Sequence, residues 1–331
     1  MKHRLKKLSA IFLVLAIAVV SLAACSGGKK DTNTVTIGTL DLVNGDLIAQ
    51  YEDWYTKELG VDVKIIRFDS GKDINSAIAS GGIDIGQEGT SPAALAISND
   101  IDIKVFWIGD VIGSAETLVA KKDSGIQTIQ DLKGKKVATP FASTAHYSLL
   151  NALKNAGVAE TDVELLDLQP DDIFATWQRG DIDAAYVWYP VLDNLLADGV
   201  VVTDSEQLAK EGVVTADVNV VRAEYAEAHP DVVQKFVELQ LRANDIINHQ
   251  PEIAAQDIAK KLEIEEVDAK KQIQSFTYLN ADEEIDYLDN SFAEILKNTA
   301  DFLVEQKSIK SAPDLSEFQS RVTSEYVKAA K

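Results

Sequence analysis

The chain has 331 residues, of which 46% are hydrophobic, and a formal net charge of −21 at pH 7. This length exceeds what one hydrophobic core usually supports, so two domains are expected. Because nucleic-acid phosphates are bound by clustered Lys and Arg, so acidic a chain is not expected to bind nucleic acid.

The N-terminus has the layout of a secretory signal segment over residues 1–24. Four basic side chains precede an apolar run over residues 8–20, and small residues close it. A retained transmembrane helix is the alternative, but such a helix needs about 20 apolar residues. Cleavage after residue 24 removes four positive and no acidic residues, which takes the net charge from −21 to −25.

Cys25 is the only cysteine of the sequence. The run Leu22-Ala23-Ala24-Cys25 resembles the lipobox of bacterial lipoproteins, which implies acylation of Cys25 and anchoring of the protein to a membrane. One cysteine allows neither a disulfide framework nor a Cys-based metal cluster, and no metal or other cofactor is expected. Residues 25–33 are small and polar, which predicts a flexible tether.

From residue 34 onward, β-branched runs alternate with amphipathic helical patterns. Strands are predicted at residues 34–39, 61–67 and 83–87, and helices at residues 46–59 and 73–80. This alternation favours an α/β fold with βαβ units on a mainly parallel sheet.

A second series with the same alternation follows. Strands are predicted at residues 117–121, 136–139, 163–168, 183–187 and 200–203, and helices at 128–132, 144–156, 171–179 and 191–197. After residue 230 helical patterns dominate, including 232–248, 253–262 and 282–306. A helical tail has no sheet of its own, so we expect it to pack on one of the two lobes.

Two extended runs, residues 117–121 and 218–222, are expected to cross between the lobes, and two crossings form a hinge that permits closure. The first lobe is then discontinuous and comprises residues 34–117 and 220–331. The second lobe comprises residues 118–219.

Two predicted helix starts carry hydroxyl groups suited to an anion. Thr90 and Ser91 precede a helix that begins near Pro92, and Ser143 and Thr144 precede the helix over residues 144–156. Free backbone N–H groups and the helix dipole favour anions at such positions. Ordinary capping of the helix is the alternative role, and both can hold at once.

Four further residues are candidates for ligand contact. His146 can donate one ring N–H to an anion, although a lone His is more often structural. Trp188 can cover a cation with its ring, with core packing as the alternative. Glu116 and Asp217 can pair with a positive group of the ligand, because an unpaired buried charge costs several kcal/mol. Their alternative is to be solvated charges beside the hinge.

Several blocks of sequence resemble the taurine-binding proteins of the nitrate, sulfonate and taurine ABC importers. The most specific are residues 140–150, Pro-Phe-Ala-Ser-Thr-Ala-His-Tyr-Ser-Leu-Leu, and residues 178–188, Gln-Arg-Gly-Asp-Ile-Asp-Ala-Ala-Tyr-Val-Trp. Shorter matches are Phe68-Asp69-Ser70-Gly71 and Gly89-Thr90-Ser91-Pro92. Asn219 departs from the pattern, since an aromatic residue is expected there.

This resemblance implies a two-lobed α/β fold of the type II periplasmic-binding-protein kind, with hinge strands. It implies a monomeric, non-enzymatic binding lipoprotein on the extracytoplasmic face of the cell membrane, which delivers taurine or a related small sulfonate to the permease of an ABC importer. Ligand contacts are then expected at Thr90, Ser91, Glu116, Ser143, Thr144, His146, Trp188 and Asp217.

Other functions stay open at this point. The ligand can instead be an alkanesulfonate, nitrate or a thiamine precursor, and a lipoprotein with such a fold can serve sensing or adhesion. An enzyme of the same fold, the thiamine-pyrimidine synthase type, is disfavoured because it uses a cysteine-rich segment and iron.

Overall fold

The computed structural model describes residues 33–331. The predicted signal segment, Cys25 and the tether up to residue 32 lie outside the described residues. Within the described range no helix is both long and apolar enough to cross a membrane.

A six-stranded sheet is built from the two ends of the described chain. Its strands are β1 (Thr34–Thr39), β2 (Asp62–Arg67), β3 (Ile85–Gly89), β4 (Ile103–Ile112), β10 (Ala216–Arg222) and β11 (Phe276–Thr277). Their order is β11-β4-β10-β3-β1-β2. Strand β3 runs parallel to β1, whereas β10 is antiparallel to both β3 and β4.

A five-stranded sheet is built from the middle of the chain. Its strands are β5 (Glu116–Lys121), β6 (Lys136–Thr139), β7 (Glu164–Asp167), β8 (Ala184–Trp188) and β9 (Gly199–Asp204). The order is β7-β6-β8-β5-β9. Strand β6 is parallel to β7 and β8, and β5 is antiparallel to β8 and β9.

Both sheets are therefore mixed, because β10 in one sheet and β5 in the other run antiparallel to both of their neighbours. Strand β5 follows β4 after only residues 113–115, and β10 is where the chain returns to the six-stranded sheet. Because neither strand enters its sheet through a βαβ crossover, neither has to run parallel to its neighbours.

The two expected crossing runs are each contained in one sheet. Residues 117–121 belong to β5, and residues 218–222 belong to β10. Residues 216–219 also pair within the six-stranded sheet, whereas the sequence assigns them to the end of the second lobe. The division into two hinged lobes stays a prediction.

Helices cover both sheets. They are α1 (Gly45–Tyr51), α2 (Trp54–Glu58), α3 (Gly71–Ala79), α4 (Thr90–Ser98), α5 (Thr144–Asn155), α6 (Pro170–Arg179), α7 (Val191–Leu196), α8 (Ser205–Lys210), α9 (Ala223–Ala228), α10 (Pro230–His249), α11 (Pro251–Leu262), α12 (Glu266–Ile273), α13 (Ala281–Asp286), α14 (Phe292–Glu305), α15 (Leu315–Arg321) and α16 (Glu325–Ala330). The helix expected over residues 46–59 is two helices, because Asp53 takes a left-handed φ of 59°. The stretch expected over residues 282–306 is interrupted by a π-helical turn at Tyr287–Ser291.

The helical tail packs on the six-stranded sheet, as the sequence predicts. Phe236 of α10 and Phe292 of α14 are fully buried in the same apolar cluster as Val105 and Trp107 of β4. The second sheet has its own cluster, in which Leu118 of β5 is buried. Each sheet thus packs against an apolar cluster of its own.

Candidate ligand-binding site

Strand pairing brings three site positions into one row of the six-stranded sheet. Asp217 of β10 lies opposite Gly89 of β3 on one side and opposite Asp110 of β4 on the other. Glu116 begins the first strand after the chain leaves this sheet and lies opposite Trp188 of β8.

Gly89 allows two helix starts to approach each other. It directly precedes α4, and a Cβ atom placed on it would lie only 2.6 Å from Cγ2 of Thr144, the first residue of α5. The same Cβ would lie 3.6 Å from Oδ1 of Asp217. Because glycine has no Cβ, the start of α4, the start of α5 and a carboxyl group can meet at this point.

The start of α4 presents hydroxyl groups that have no partner. Thr90 and Ser91 are fully buried, and neither hydroxyl oxygen has a hydrogen-bond partner. No side chain caps this helix. A buried polar group left without a hydrogen bond costs about 1–3 kcal/mol, so these hydroxyls and the free first-turn N–H groups suit an acceptor supplied by a ligand.

The start of α5 is different, because its hydroxyl groups have partners within the protein. Ser143 Oγ accepts a hydrogen bond from the backbone N–H of His146 at 3.1 Å and donates to the carbonyl of Pro140 at 2.6 Å. Ser143 therefore caps α5, which is its alternative role. The Thr144 hydroxyl donates to a carboxyl oxygen of Glu116. Ligand contact by either residue stays a prediction.

His146 offers one unpartnered donor. Its Nδ1 accepts a hydrogen bond from the backbone N–H of Ala142 at 3.3 Å, and its Nε2 is buried without a partner. Burial lowers the pKa of His146 to about 4, against the opposing effect of Asp167. At neutral pH the ring is thus uncharged, and its proton resides on Nε2 because Nδ1 is an acceptor.

Glu116 and Asp217 are both buried. Burial, with a smaller contribution from the nearby Asp217 carboxyl, raises the pKa of Glu116 to about 8 against the opposing effect of the Thr144 and Ser205 hydroxyls. The pKa of Asp217 is raised well above its usual range by burial and by Asp110. In the described part of the chain no Lys or Arg forms an ion pair with either group. When ionised, these two carboxylates suit a cationic group of a ligand.

Trp188 lies at the edge of the site. It is half-buried and packs against the apolar clusters of both sheets. It also lines a cavity together with Leu40, Phe68 and Arg67, whose guanidinium pairs with Asp41 at 2.6 Å. The cavity therefore has an apolar wall and a charged rim.

Sequence reasoning missed Asp110 and its partner Asn44. The fully buried Asp110 carboxyl lies within β4, which is not among the strands that the sequence predicts. Asn44 donates from Nδ2 to Oδ2 of Asp110 at 3.0 Å. The available signal was a lone Asp inside the apolar run Ile-Lys-Val-Phe-Trp-Ile-Gly-Asp-Val-Ile. Among residues 33–331, no group of three or more His, Cys, Asp or Glu is arranged to hold a metal ion.

Residues 43–254 match the family described as NMT1/THI5 like. The chain belongs to the NMT1/THI5-like family. It is 41% identical over 288 residues to the taurine-binding periplasmic protein of Escherichia coli K12. The aligned region covers 85% of this chain and 88% of that protein. The predicted resemblance is thereby confirmed.

Solved structures confirm the predicted fold class of this NMT1/THI5-like chain. The periplasmic aliphatic sulphonate binding protein SsuA from Escherichia coli superimposes with a TM-score of 0.70 at 23% identity, covering 88% of this chain and 92% of that one. The alkanesulfonate-binding protein SsuA from Xanthomonas axonopodis pv. citri, bound to MOPS, gives 0.72 at 21% identity, covering 90% and 97%. At these identities the likeness concerns the fold alone.

Proposed function

We propose that this chain is the substrate-binding lipoprotein of an ABC importer and that it captures taurine or a closely related amino-sulfonate. It is a binding protein and not an enzyme, and it delivers its ligand to a permease without breaking a bond. The 41% identity to a taurine-binding periplasmic protein supports this assignment.

The observation that carries the proposal is the approach of the starts of α4 and α5 to the Asp217 carboxyl around Gly89. Thr90, Ser91 and Nε2 of His146 are buried donors without partners. Glu116 and Asp217 are buried carboxyl groups without a cation. A sulfonate keeps its negative charge at physiological pH and needs the donors, while an ammonium needs the carboxylates. Taurine carries both groups on a two-carbon chain.

Capture is accompanied by closure. The ligand contacts donors on α4, which extends from the six-stranded sheet, and groups on α5 and β5, which belong to the other sheet. Since contacts from both sides are made only when the two sheets stand close together, the ligand favours the closed form. A permease then recognises this form.

Ligand size limits the affinity. Taurine has about seven heavy atoms, and the best very small ligands gain about 1.5 kcal/mol per atom. The ceiling is about 10 kcal/mol, which corresponds to a dissociation constant of tens of nanomolar. We therefore expect a dissociation constant for taurine between this limit and the micromolar range.

The protein is extracytoplasmic, and we place it at the membrane through a lipid on Cys25. The basic start, the apolar run over residues 8–20 and the sequence Leu22-Ala23-Ala24-Cys25 support this location.

Calorimetric titration of the purified full-length protein in detergent with taurine, ethanesulfonate and nitrate tests the proposal. Taurine is expected to bind at least about tenfold more tightly than ethanesulfonate, because a hydrogen bond to a charged group is worth about 1.5–3 kcal/mol. Absence of taurine binding would refute the proposal. Stronger binding of ethanesulfonate would indicate an alkanesulfonate-binding protein instead, and nitrate alone an inorganic-anion receptor.

The variant Glu116→Gln tests the amine contact separately. It is expected to weaken taurine binding about 10- to 100-fold and to change ethanesulfonate binding less than about threefold. Glu284→Gln is the matched control, because Glu284 is an equally buried carboxyl whose Oε1 accepts from the backbone N–H of Ile108. Equal losses for both ligands in Glu116→Gln would remove the proposed role of this residue.

A further inference from the structure

Asp110 is a fully buried carboxyl group directly behind the proposed ammonium site. It lies on β4 opposite Asp217 of β10, and Asp217 lies opposite Gly89 of β3. Asp110 itself has no exposed surface. Because Asp217 lies between Asp110 and Gly89 in the sheet, Asp110 is expected to act on a ligand through Asp217.

One oxygen of Asp110 is held firmly by Asn44. The Nδ2 group of Asn44 donates to Oδ2 of Asp110 at 3.0 Å. The Asn44 Oδ1 atom accepts from Nε2 of Gln87 at 3.1 Å and from the backbone N–H of Asp46 at 3.2 Å. Since its oxygen is occupied by two donors, the amide of Asn44 cannot reverse, and its N–H must face Asp110.

The other oxygen of Asp110 faces a second carboxyl group. Oδ1 of Asp110 receives no hydrogen bond from any N–H, amide or hydroxyl group of the described residues. Its neighbour is the carboxyl of Asp217, and the two groups form a hydrogen bond when one of them is protonated. While no cation lies beside them, two adjacent buried carboxylates cannot both carry a charge at low cost, so a shared proton is then the stable arrangement.

The groups around this pair reinforce that arrangement. Glu116 and Asp46 both act on Asp110 as like charges, and Tyr278 is the further titratable group that faces the pair. The Tyr278 hydroxyl donates to the carbonyl of Val43 at 2.6 Å and is not available to neutralise the pair. Burial, with smaller contributions from Glu116 and Asp46, raises the pKa of Asp110 to about 7, against the lowering effect of the hydrogen bonds with Asn44 and Asp217. No Lys, Arg or His contributes a positive charge to the pair within residues 33–331.

We propose that Asp110 is a positioning residue that shares one proton with Asp217, and that the ligand's ammonium enters the site in exchange for this proton. The inference rests on the proposed function. The ammonium keeps its own protons, the shared proton leaves Asp217 for solvent, and Asp217 becomes the carboxylate that faces the ligand. The site thereby selects an amine that is protonated at neutral pH over a neutral group of the same shape.

The direction of the pH dependence follows from this exchange. When pH falls, the shared proton becomes harder to displace, so taurine binds more weakly. If one proton is displaced, taurine affinity falls about tenfold for each pH unit below the pKa of the carboxyl pair. Ethanesulfonate has no ammonium and does not displace the proton, so its affinity is expected to change far less over the same range.

Calorimetry of the full-length protein with taurine, in buffers of different ionisation enthalpy, counts the released protons. At pH 6.5 the wild type is expected to release at least about one proton per taurine bound. Asp110→Asn is expected to release about one proton fewer and to reduce the pH dependence of taurine affinity. An Asn side chain can still accept from Asn44 and donate to Asp217, so the fold is retained.

Glu284→Gln again serves as the matched control and is expected to release as many protons as the wild type. An unchanged proton count in Asp110→Asn, or taurine binding to the wild type without proton release, would overturn the inference and leave the proposed function intact. If the wild type binds no taurine, the proposed function itself fails. The wild-type count with taurine and ethanesulfonate tests the inference even if the variant does not fold.

Discussion

Gly89→Ala tests the convergence of the two helix starts most sharply. The new methyl group would lie 2.6 Å from Cγ2 of Thr144, whereas two carbon atoms pack best at about 3.5–4.0 Å. The start of α5 must therefore move away by about 1 Å, since Thr144 is β-branched and its hydroxyl is bonded to Glu116. Gly89 has a φ of −85°, which alanine also adopts, so the backbone is not strained.

Overpacking of this kind costs about 1–3 kcal/mol. If the ligand-bound state bears this cost, the dissociation constant for taurine rises about 5- to 150-fold. Titration calorimetry measures this change, and urea denaturation measures the free energy of unfolding of the ligand-free protein. The double variant Gly89→Ala with Thr144→Ser removes the clashing Cγ2 and keeps the hydroxyl, so it is expected to recover most of the affinity. Failure of this second change to restore binding would refute the proposed convergence.

Ser91→Ala is expected to leave the free energy of unfolding unchanged or slightly higher, because the Ser91 hydroxyl has no partner. The same variant is expected to weaken the binding of taurine and of ethanesulfonate about equally, by about 5- to 30-fold in calorimetry. The pKa of His146 falls from 6.5 to about 4 on folding. Because the unfolded chain then binds a proton more readily than the folded protein, the free energy of unfolding decreases as pH falls below 6.5. Between pH 7 and pH 4 the wild type is expected to lose about 3 kcal/mol relative to His146→Gln, as measured by urea titration. Cys25→Ser is expected to abolish metabolic labelling with fatty acid and to release the protein from the membrane fraction, and a labelled variant would contradict the anchor.

The sequence predicts the strands and helices that have a clear local period. The strand at Thr34–Thr39 and the helix at Thr144–Asn155 agree with the structure within a residue. The break at Asp53 is harder to foresee, because a left-handed turn at an Asp leaves no apolar pattern. Strand direction is set by contacts far along the chain, so the antiparallel placement of β5 and β10 could not be read from local periodicity.

The candidate site likewise combines residues that the sequence indicates with residues that only the structure shows. Hydroxyl groups beside a helix start can be recognised in the sequence, and Thr90 and Ser91 were identified in this way. Which hydroxyls are free depends on tertiary partners, and only the structure shows that the Ser143 hydroxyl is occupied by Pro140 and His146. The Asp110–Asp217 pair depends on the register between β4 and β10, which are far apart in sequence. Local residue spacing does not predict this register.

A crystal structure of the protein with bound taurine tests the central claim most directly. The account predicts sulfonate oxygens within about 3 Å of Ser91 Oγ and the start of α4, with the nitrogen within about 3 Å of a carboxyl oxygen of Asp217. A taurine molecule lying in the neighbouring cavity, with its sulfonate on Arg67 and no contact with Ser91 or Asp217, would contradict it.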